Sequence, residues 1–408
     1  MFHLFERFGI ELEYMIVDRD TLRVNPLTDQ VIKEVNGSIT NEVQLGEIAW
    51  SNELALHVIE LKTAIPADTI VGLDKKFHSN IQKINDILKS YNACLMGGPM
   101  HPFMDPVKEI RLWPHDYNPI YTAFDRIFSC KGHGWANLQS MHINLPFANE
   151  EEFGRLHAAI RLVLPIIPAL SAGSPVADGI VSGYHDTRME TYRTNSKKIP
   201  SITGQVVPEA VFSPVQYEEE ILKKIYNDLT PFDPEKILQE EWVNARGAIA
   251  RFERNTIEIR VIDVQENPFA DQAIAAAVIE TVKMLVEEEC SSFEYQKTIP
   301  MAPLVSAFLD TIKQGENANI TDNTYLASLG FSSGHFTAGE VWKKLVQKIS
   351  KRKGSLVPPF SDSLNTILNK GSLSSRILKR TGTKPSLKEL QGICENMCDC
   401  LQNGRMFI

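Results

Sequence analysis

The sequence predicts an α+β protein whose organising feature is an antiparallel sheet. Three observations predict it. Four short segments alternate polar and apolar residues with period two, the signature of strands with one wet face. Longer segments with helical spacing lie between and after them. The polar faces of the strands carry an excess of carboxylates, with one histidine and one arginine among them. Length allows two or three domains or one large unit: residues 1–290 hold every predicted strand, and 291–408 read as mainly helical, packed on the same unit.

The first strand covers residues 7–17. Gly9, Glu11, Glu13 and Met15 share one face; Phe8, Ile10, Leu12, Tyr14 and Ile16 share the other. Glutamates two apart on a strand stand about 7 Å from each other, harmless in water and repulsive in a cleft without a cation. A second strand runs from Glu53 to Thr63 and sets Glu60 in a row with Leu56, Val58 and Lys62. Glu53 has the opposite parity and joins Glu60 only from a bend or bulge. Thr69–Tyr91 has helical spacing, Cys94–Met96 is a short strand closed by Gly97-Gly98-Pro99, and a loop rich in His, Pro and Trp follows from His101 to Tyr121.

Residues 136–146 form the next polar-faced strand, with His142 and Asn144 on one side. Glu150–Leu170 reads as a helix, and a loop rich in small and basic residues carries Arg188, Arg193 and Asn195, a composition suited to anionic ligands and equally to a solvated surface. Tyr217–Tyr226 is a helix. Residues 242–252 bring Arg246 and Arg251 into a hairpin with the central strand, Thr256–Val264. On that strand Thr256, Glu258, Arg260 and Ile262 face one way and Ile257, Ile259 and Val261 the other. Asn267-Pro268 ends the sheet and Ala270–Glu289 is strongly helical.

Two accounts fit the polar faces. Each strand has a separate wet face, or the strands curve into one funnel that gathers Glu11, Glu13, Glu60, His142 and Glu258, with Glu53 at its margin. In a funnel, two carboxylates ~5 Å apart at an effective dielectric of ~20 repel by roughly 3 kcal/mol, and divalent cations relieve that repulsion. Oxygen ligands with one imidazole suit Mg²⁺ or Mn²⁺ better than zinc. Arginines around such a cluster belong to phosphoryl transfer, where they carry the charge of the moving group.

The bulk properties narrow the rest. A net charge of −9 argues against nucleic-acid binding, and no run of 18 apolar residues predicts a membrane span. The first residues show no basic region followed by an apolar one, so the expected location is cytoplasmic. Three of the six cysteines form Cys394-x3-Cys398-x-Cys400, with Cys394 and Cys398 on one helix face; no second cluster completes a zinc site, and incidental cysteines in a reducing compartment are expected.

Several of these segments together resemble the glutamate–cysteine ligase superfamily. Gly9-Ile10-Glu11-Leu12-Glu13 is similar to its opening strand, Glu53 with Glu60 to its second acidic strand, and Met141-His142-Ile143-Asn144-Leu145 to its His-x-Asn strand. Arg188-Met189 with Tyr192 to Asn195 resembles its Arg-Met loop, with Arg193 inserted, and residues 256–269 are the nearest match. The resemblance implies a glutamine-synthetase-like fold, a curved antiparallel sheet forming a funnel with helices outside. It implies ATP-dependent formation of an amide through a γ-glutamyl phosphate, with small-molecule substrates, in the service of glutathione biosynthesis. By the same resemblance Glu11, His142 and Glu258 hold metal at the γ-phosphate, and Glu13, Glu53 and Glu60 hold metal nearer the other phosphates. Arg188 and Arg260 stabilise the phosphoryl group and substrate carboxylate. Asn144, Arg246 and Arg251 are added as nucleotide contacts from their position at the central strands. Glutamate and cysteine are the expected substrates. A different acceptor amine, a metal-dependent amide hydrolase and a silent nucleotide-binding protein are the rivals. The C-terminal helices either pack on the back of the sheet or make a contact between subunits.

Overall fold

The computed structural model describes residues 1–408. Its centre is an open eight-stranded sheet. The strands are β1 (Gly9–Asp18), β2 (Glu42–Leu45), β3 (Ile48–Asn52), β4 (Val58–Thr63), β5 (Ala93–Met96) and β6 (Ser140–Pro146). A separate small hairpin pairs β7 (Val176–Ala177) with β8 (Ile180–Val181), and the sheet is completed by β9 (Ala248–Arg251) and β10 (Thr256–Asp263). The order is β2-β3-β4-β1-β6-β10-β9, every pairing is antiparallel, and β5 joins the far end of β1 beyond β6.

Alternation does what the sequence predicts on β1. Ile10, Leu12, Tyr14 and Ile16 are fully buried on the back of the sheet, where the helices Leu73–Leu88 and Pro268–Val286 pack. The polar atoms that burial strands there are matched across the layers: Trp50 donates to Asn80 at 3.0 Å and Tyr14 to Asp271 at 3.3 Å. The Pro268–Val286 helix is buried on nearly all sides. It starts where Asn267 accepts from the amides of Phe269 and Ala270, with Pro268 in the first turn. Truncating a core side chain such as Leu12 to Ala would cost ~2–5 kcal/mol.

Residues 291–408 are mainly helical, and one apolar core runs from Phe8 through to Leu401. Trp342 donates to the carbonyl of Ile166 at 2.6 Å and Tyr325 to that of Leu162 at 2.8 Å. The last helix, Leu387–Asn403, lies against β5 in a second, smaller apolar cluster. No helix is long and apolar enough to cross a membrane.

Several local expectations differ from the structure. Glu53 lies outside the second acidic strand, in the connection after β3, because the predicted 53–63 strand begins only at Val58. Strands β2 and β3 were not expected; Gly46, at φ 76°, closes the tight turn between them. The helix beginning at Glu150 gives way after Val163, where Pro165 and Pro168 remove backbone donors. A helix, Asn118–Phe128, starts inside the stretch expected as a loop to Tyr121, and the Arg188 segment, Thr187–Asn195, is a helix rather than a loop.

The largest departure is a bulge in β10. Glu258 and Ile259 face Asn144 and Ile143, but Ile262 and Asp263 face Met141 and Ser140, so Arg260 and Val261 together stand opposite His142. Parity therefore flips. Ile262, expected on the polar face, is fully buried in the core, and Asp263 takes the polar face instead. Gly247 makes room for the bulge: a Cβ there would come within 2.4 Å of Val261 Cγ1.

Candidate active site

The polar face of the sheet gathers side chains from six strands. Antiparallel register sets Glu11 opposite both Lys62 and His142, Glu13 opposite Glu60, and Glu258 opposite Asn144. Directly opposed residues of one face lie within contact distance, so register alone converges these groups. His142 is the hub. Its Nδ1 is 2.9 Å from Glu11 Oε2 and 3.7 Å from Glu258 Oε1; its Nε2 is 2.8 Å from Ser140 Oγ and 3.9 Å from Glu13 Oε1. Two sets of potential ligand atoms form around it, each gathered within 4.8 Å: Glu11, His142 and Glu258, and Glu13, Glu60 and His142.

Each carboxylate is held by neighbours. Asn144 Nδ2 donates to Glu11 at 3.0 Å, the amide of Ser140 donates to Glu13 at 2.7 Å, and Ser51 Oγ donates to Glu60 at 2.6 Å. Lys62 Nζ lies 3.0 Å from Glu60. Glu258 receives Arg260 Nε at 2.6 Å and Arg251 Nη1 at 3.4 Å. Arg188, only 2% exposed, reaches Asp263 at 3.2 Å and the carbonyl of Arg260 at 2.9 Å. Asp263 also accepts from the amide of Gly173 and the hydroxyl of Ser174, so the bulge that turns Asp263 to the polar side of the sheet also fixes Arg188.

The charges are unbalanced in an informative way. Burial penalises the imidazolium of His142, yet the hydrogen bond to Glu11 and the charges of Glu13 and Glu258 raise it to about 9. Burial pushes Glu258 up, and Arg260, His142 and Arg251 overcome it to hold the carboxyl at about 2. Glu11, also penalised by burial, stays below its ordinary value through its bond to His142. Glu13 and Glu53 go the other way. Burial raises both, and for Glu53 the charges of Glu13 and Glu60 push it well above the usual carboxylate range. One end of the floor is thus neutralised by protein cations and the other retains acidic groups with too few partners. Buried, mostly oxygen donors with one imidazole fit a hard divalent cation. A cation there would also draw Glu53 and Glu13 back down toward the ordinary carboxylate range.

A cavity of ≈ 540 Å³ opens over this floor, and Glu13, Glu53, His142, Arg188, Arg251 and Arg260 all line it. Its opposite wall is aromatic. Tyr117, Tyr121 and Phe124 come from the Asn118–Phe128 helix and its cap, with Trp135 and Trp242 beside them. Phe124 packs on Trp135 at 5.0 Å and on Trp242 at 6.0 Å between ring centroids.

One expected nucleotide contact stands elsewhere. Arg246 does not reach the cavity: its guanidinium is buried in a fork on Glu209, with contacts of 2.5 and 2.6 Å, and bonds the carbonyl of Ser201. Asn144 stands on the floor itself, its Nδ2 donating to Glu11. Sequence reasoning missed Ser51, Ser140, Asp263 and the aromatic wall. Ser140 was within reach, since it shares the parity of His142; Asp263 was hidden by the bulge.

An open antiparallel sheet with an acidic floor on one face and helices behind the other is the setting in which the family match places this chain among the ATP-dependent carboxylate–amine ligases. The sequence model of glutamate–cysteine ligase family 2 matches residues 7–312, and the chain belongs to that family. A protein of Archaeoglobus fulgidus named "Uncharacterized protein" is 30% identical over 400 residues, covering 98% of this chain and 100% of that one. A "Putative glutamate--cysteine ligase 2" of Dechloromonas aromatica is 29% identical over 209 residues, 49% of this chain and 48% of that one. Among solved structures, a bifunctional glutathione synthetase from Pasteurella multocida superposes with a TM-score of 0.52 at 14% identity. That match takes in 97% of this chain and 52% of that one, so this chain spans about half its length.

Proposed function

We propose that the protein joins the γ-carboxylate of glutamate to the amine of cysteine, using ATP and forming an acyl phosphate. One observation carries the reading: two carboxylate–imidazole sets share His142 on one sheet face, flanked by Arg188, Arg251 and Arg260. In this reading Glu11, His142 and Glu258 hold one divalent cation and Glu13, Glu53 and Glu60 another, Mg²⁺ or Mn²⁺. Cations held there supply fixed positive charge to the phosphate oxygens of ATP.

The residues of the chain do the positioning. Arg188 and Arg260, braced by Asp263 and Glu258, present their free N–H groups to the carboxylate of glutamate and the oxygens of the phosphoryl group. A carboxylate oxygen attacks the γ-phosphorus, ADP leaves, and the amine then displaces phosphate from the acyl phosphate. The aromatic wall excludes water, which would otherwise hydrolyse the acyl phosphate. Glutathione biosynthesis and a cytoplasmic location follow from the same reading, and six unpaired cysteines suit a reducing compartment.

The aromatic wall also favours a second reading within the same chemistry, an acceptor amine with a larger apolar body than cysteine. A coupled ADP-release assay over a panel of acids and amines separates the two. ADP release that needs glutamate and cysteine together supports the first; release with glutamate and a bulkier amine, and none with cysteine, replaces it. Amide cleavage without ATP would remove both.

A further inference from the structure

Both candidate cation sets include His142, and an imidazole that ligates has a single lone pair to give: the neutral ring carries hydrogen on one nitrogen and offers the other. The set of Glu11 and Glu258 calls on Nδ1, which lies 2.9 Å from Glu11 Oε2 and 3.7 Å from Glu258 Oε1. The set of Glu13 and Glu60 calls on Nε2, 3.9 Å from Glu13 Oε1. The two demands exclude each other.

Ser140 stands where the choice is made. It opens β6 and is 5% exposed. The pairing of β1 with β6 ends at Leu12 opposite Met141, so on that side the amide of Ser140 is free, and it donates to Glu13 Oε2 at 2.7 Å. Its hydroxyl oxygen lies 3.0 Å from the same carboxylate oxygen and 2.8 Å from His142 Nε2. A hydroxyl has one hydrogen to place, and a carboxylate ionised beside a cation only accepts. That hydrogen therefore goes to Glu13, and the lone pairs of the Ser140 oxygen face Nε2. The hydrogen in the contact between Ser140 and Nε2 then comes from the ring. Asn144 makes the matching arrangement on the other side: its Nδ2 donates to Glu11 Oε1 at 3.0 Å and leaves Oε2 turned toward Nδ1.

We propose that Ser140 is a positioning residue that keeps hydrogen on Nε2 of His142, so that the Nδ1 lone pair serves Glu11 and Glu258 while Glu13, Glu60 and Glu53 form a set of carboxylates alone. The proposal rests on the two-cation reading of the floor given above. The reversed ring would aim an N–H between Glu11 and Glu258, where the first cation belongs, and would draw the Ser140 hydrogen away from a charged acceptor. Partners of this kind orient a ligating histidine and fix which nitrogen it offers. The two positions thereby differ in chemistry, one mixed nitrogen and oxygen, the other oxygen only. An ion that accepts imidazole, such as Mn²⁺, should fill the first before the second.

The test reads the ring itself. In the full-length protein with isotope-labelled histidine, saturated with Mg²⁺, long-range proton–nitrogen NMR separates the hydrogen-bearing nitrogen from the lone-pair nitrogen, and His142→Gln identifies the signals of His142. Hydrogen is expected on Nε2 in the parent and in Ser140→Thr, which keeps the hydroxyl, and the preference should be lost in Ser140→Ala. The tighter Mn²⁺ affinity in calorimetry should fall about 10–100-fold in Ser140→Ala and be restored in Ser140→Thr. Hydrogen on Nδ1, in a ring whose signals respond to Mg²⁺, would overturn the role of Ser140 and leave the two-cation reading standing. Equal weakening by alanine and threonine, or none by alanine, would do the same. A ring with no response to Mg²⁺ would overturn the proposal together with the reading beneath it.

Discussion

Glu258→Gln tests the electrostatics of the floor most directly, because its size can be worked from the structure. The carboxylate is 2% exposed and faces Arg260 Nε at 2.6 Å, Arg251 at 3.4 Å and His142 at 3.7 Å. Lowering a carboxyl from 4.5 to about 2 corresponds to about 3 kcal/mol in favour of the ionised form. The amide keeps the shape and removes the charge, which leaves buried cations unpaired, a change of similar size. The contribution is complete above the ordinary value of 4.5. It falls as acid is added, since the unfolded chain then takes up a proton that the folded one refuses until about pH 2. Urea unfolding in the presence of a chelator should place the variant about 3 kcal/mol below the parent at pH 7, the gap narrowing by about 1 kcal/mol by pH 4. ATP turnover should fall below a tenth of the parent's. A gap under 1 kcal/mol at pH 7, one that widens on acidification, or retained turnover would refute the reasoning.

Three further outcomes follow from the same geometry. Asp263→Asn should cut ATP turnover at least about tenfold with little change in circular dichroism, because Arg188 loses its charged brace while the amide preserves the packing; unchanged kcat and KM would show that Asp263 does not position Arg188. Arg246→Ala should cost about 3 kcal/mol in denaturant unfolding by stranding Glu209, yet keep activity per folded molecule within about twofold, and a selective rise in KM for ATP would return Arg246 to the site. His142, raised to about 9, holds its proton at pH 7 in the metal-free protein, so its ion-pair contribution is complete below pH 6.5 and is lost as pH rises through 9. Mg²⁺ or Mn²⁺ needs the neutral imidazole. Binding should therefore tighten from pH 7 to 9 and release protons, seen calorimetrically as heats that differ between buffers of different ionisation enthalpy; affinity that is flat over this range would exclude His142 as a ligand.

How much of this was legible in the sequence depended on how local the cause was. Glu11, Glu13, His142 and Glu258 were readable because strict alternation on β1, β6 and the first half of β10 reports the face directly. Asp263 was not, because one extra residue at Arg260–Val261 breaks the count and nothing in the composition marks it. The Arg188 helix lacked an apolar stripe, so its polar, small-residue sequence read as a loop. Arg246 was misplaced for a different reason: its partner, Glu209, lies 37 residues earlier in the chain, and proximity to a catalytic strand says nothing about such a distant claim on its charge.

The extra residue in β10 has a consequence for how this family can vary. With it, two neighbours in sequence, Val261 and Ile262, both enter the core, while Arg260 lines the cavity and Asp263, three positions on, holds Arg188 beneath it. Deleting Val261 would restore a regular strand with Ile262 still toward the core and Asp263 still toward the floor, whereas deleting Arg260 would set an aliphatic opposite His142 and remove the guanidinium from Glu258. The segment should therefore tolerate exchange or loss of the aliphatic at 261 far better than loss of Arg260, and homologues with a regular strand here should still carry the acid that cradles Arg188.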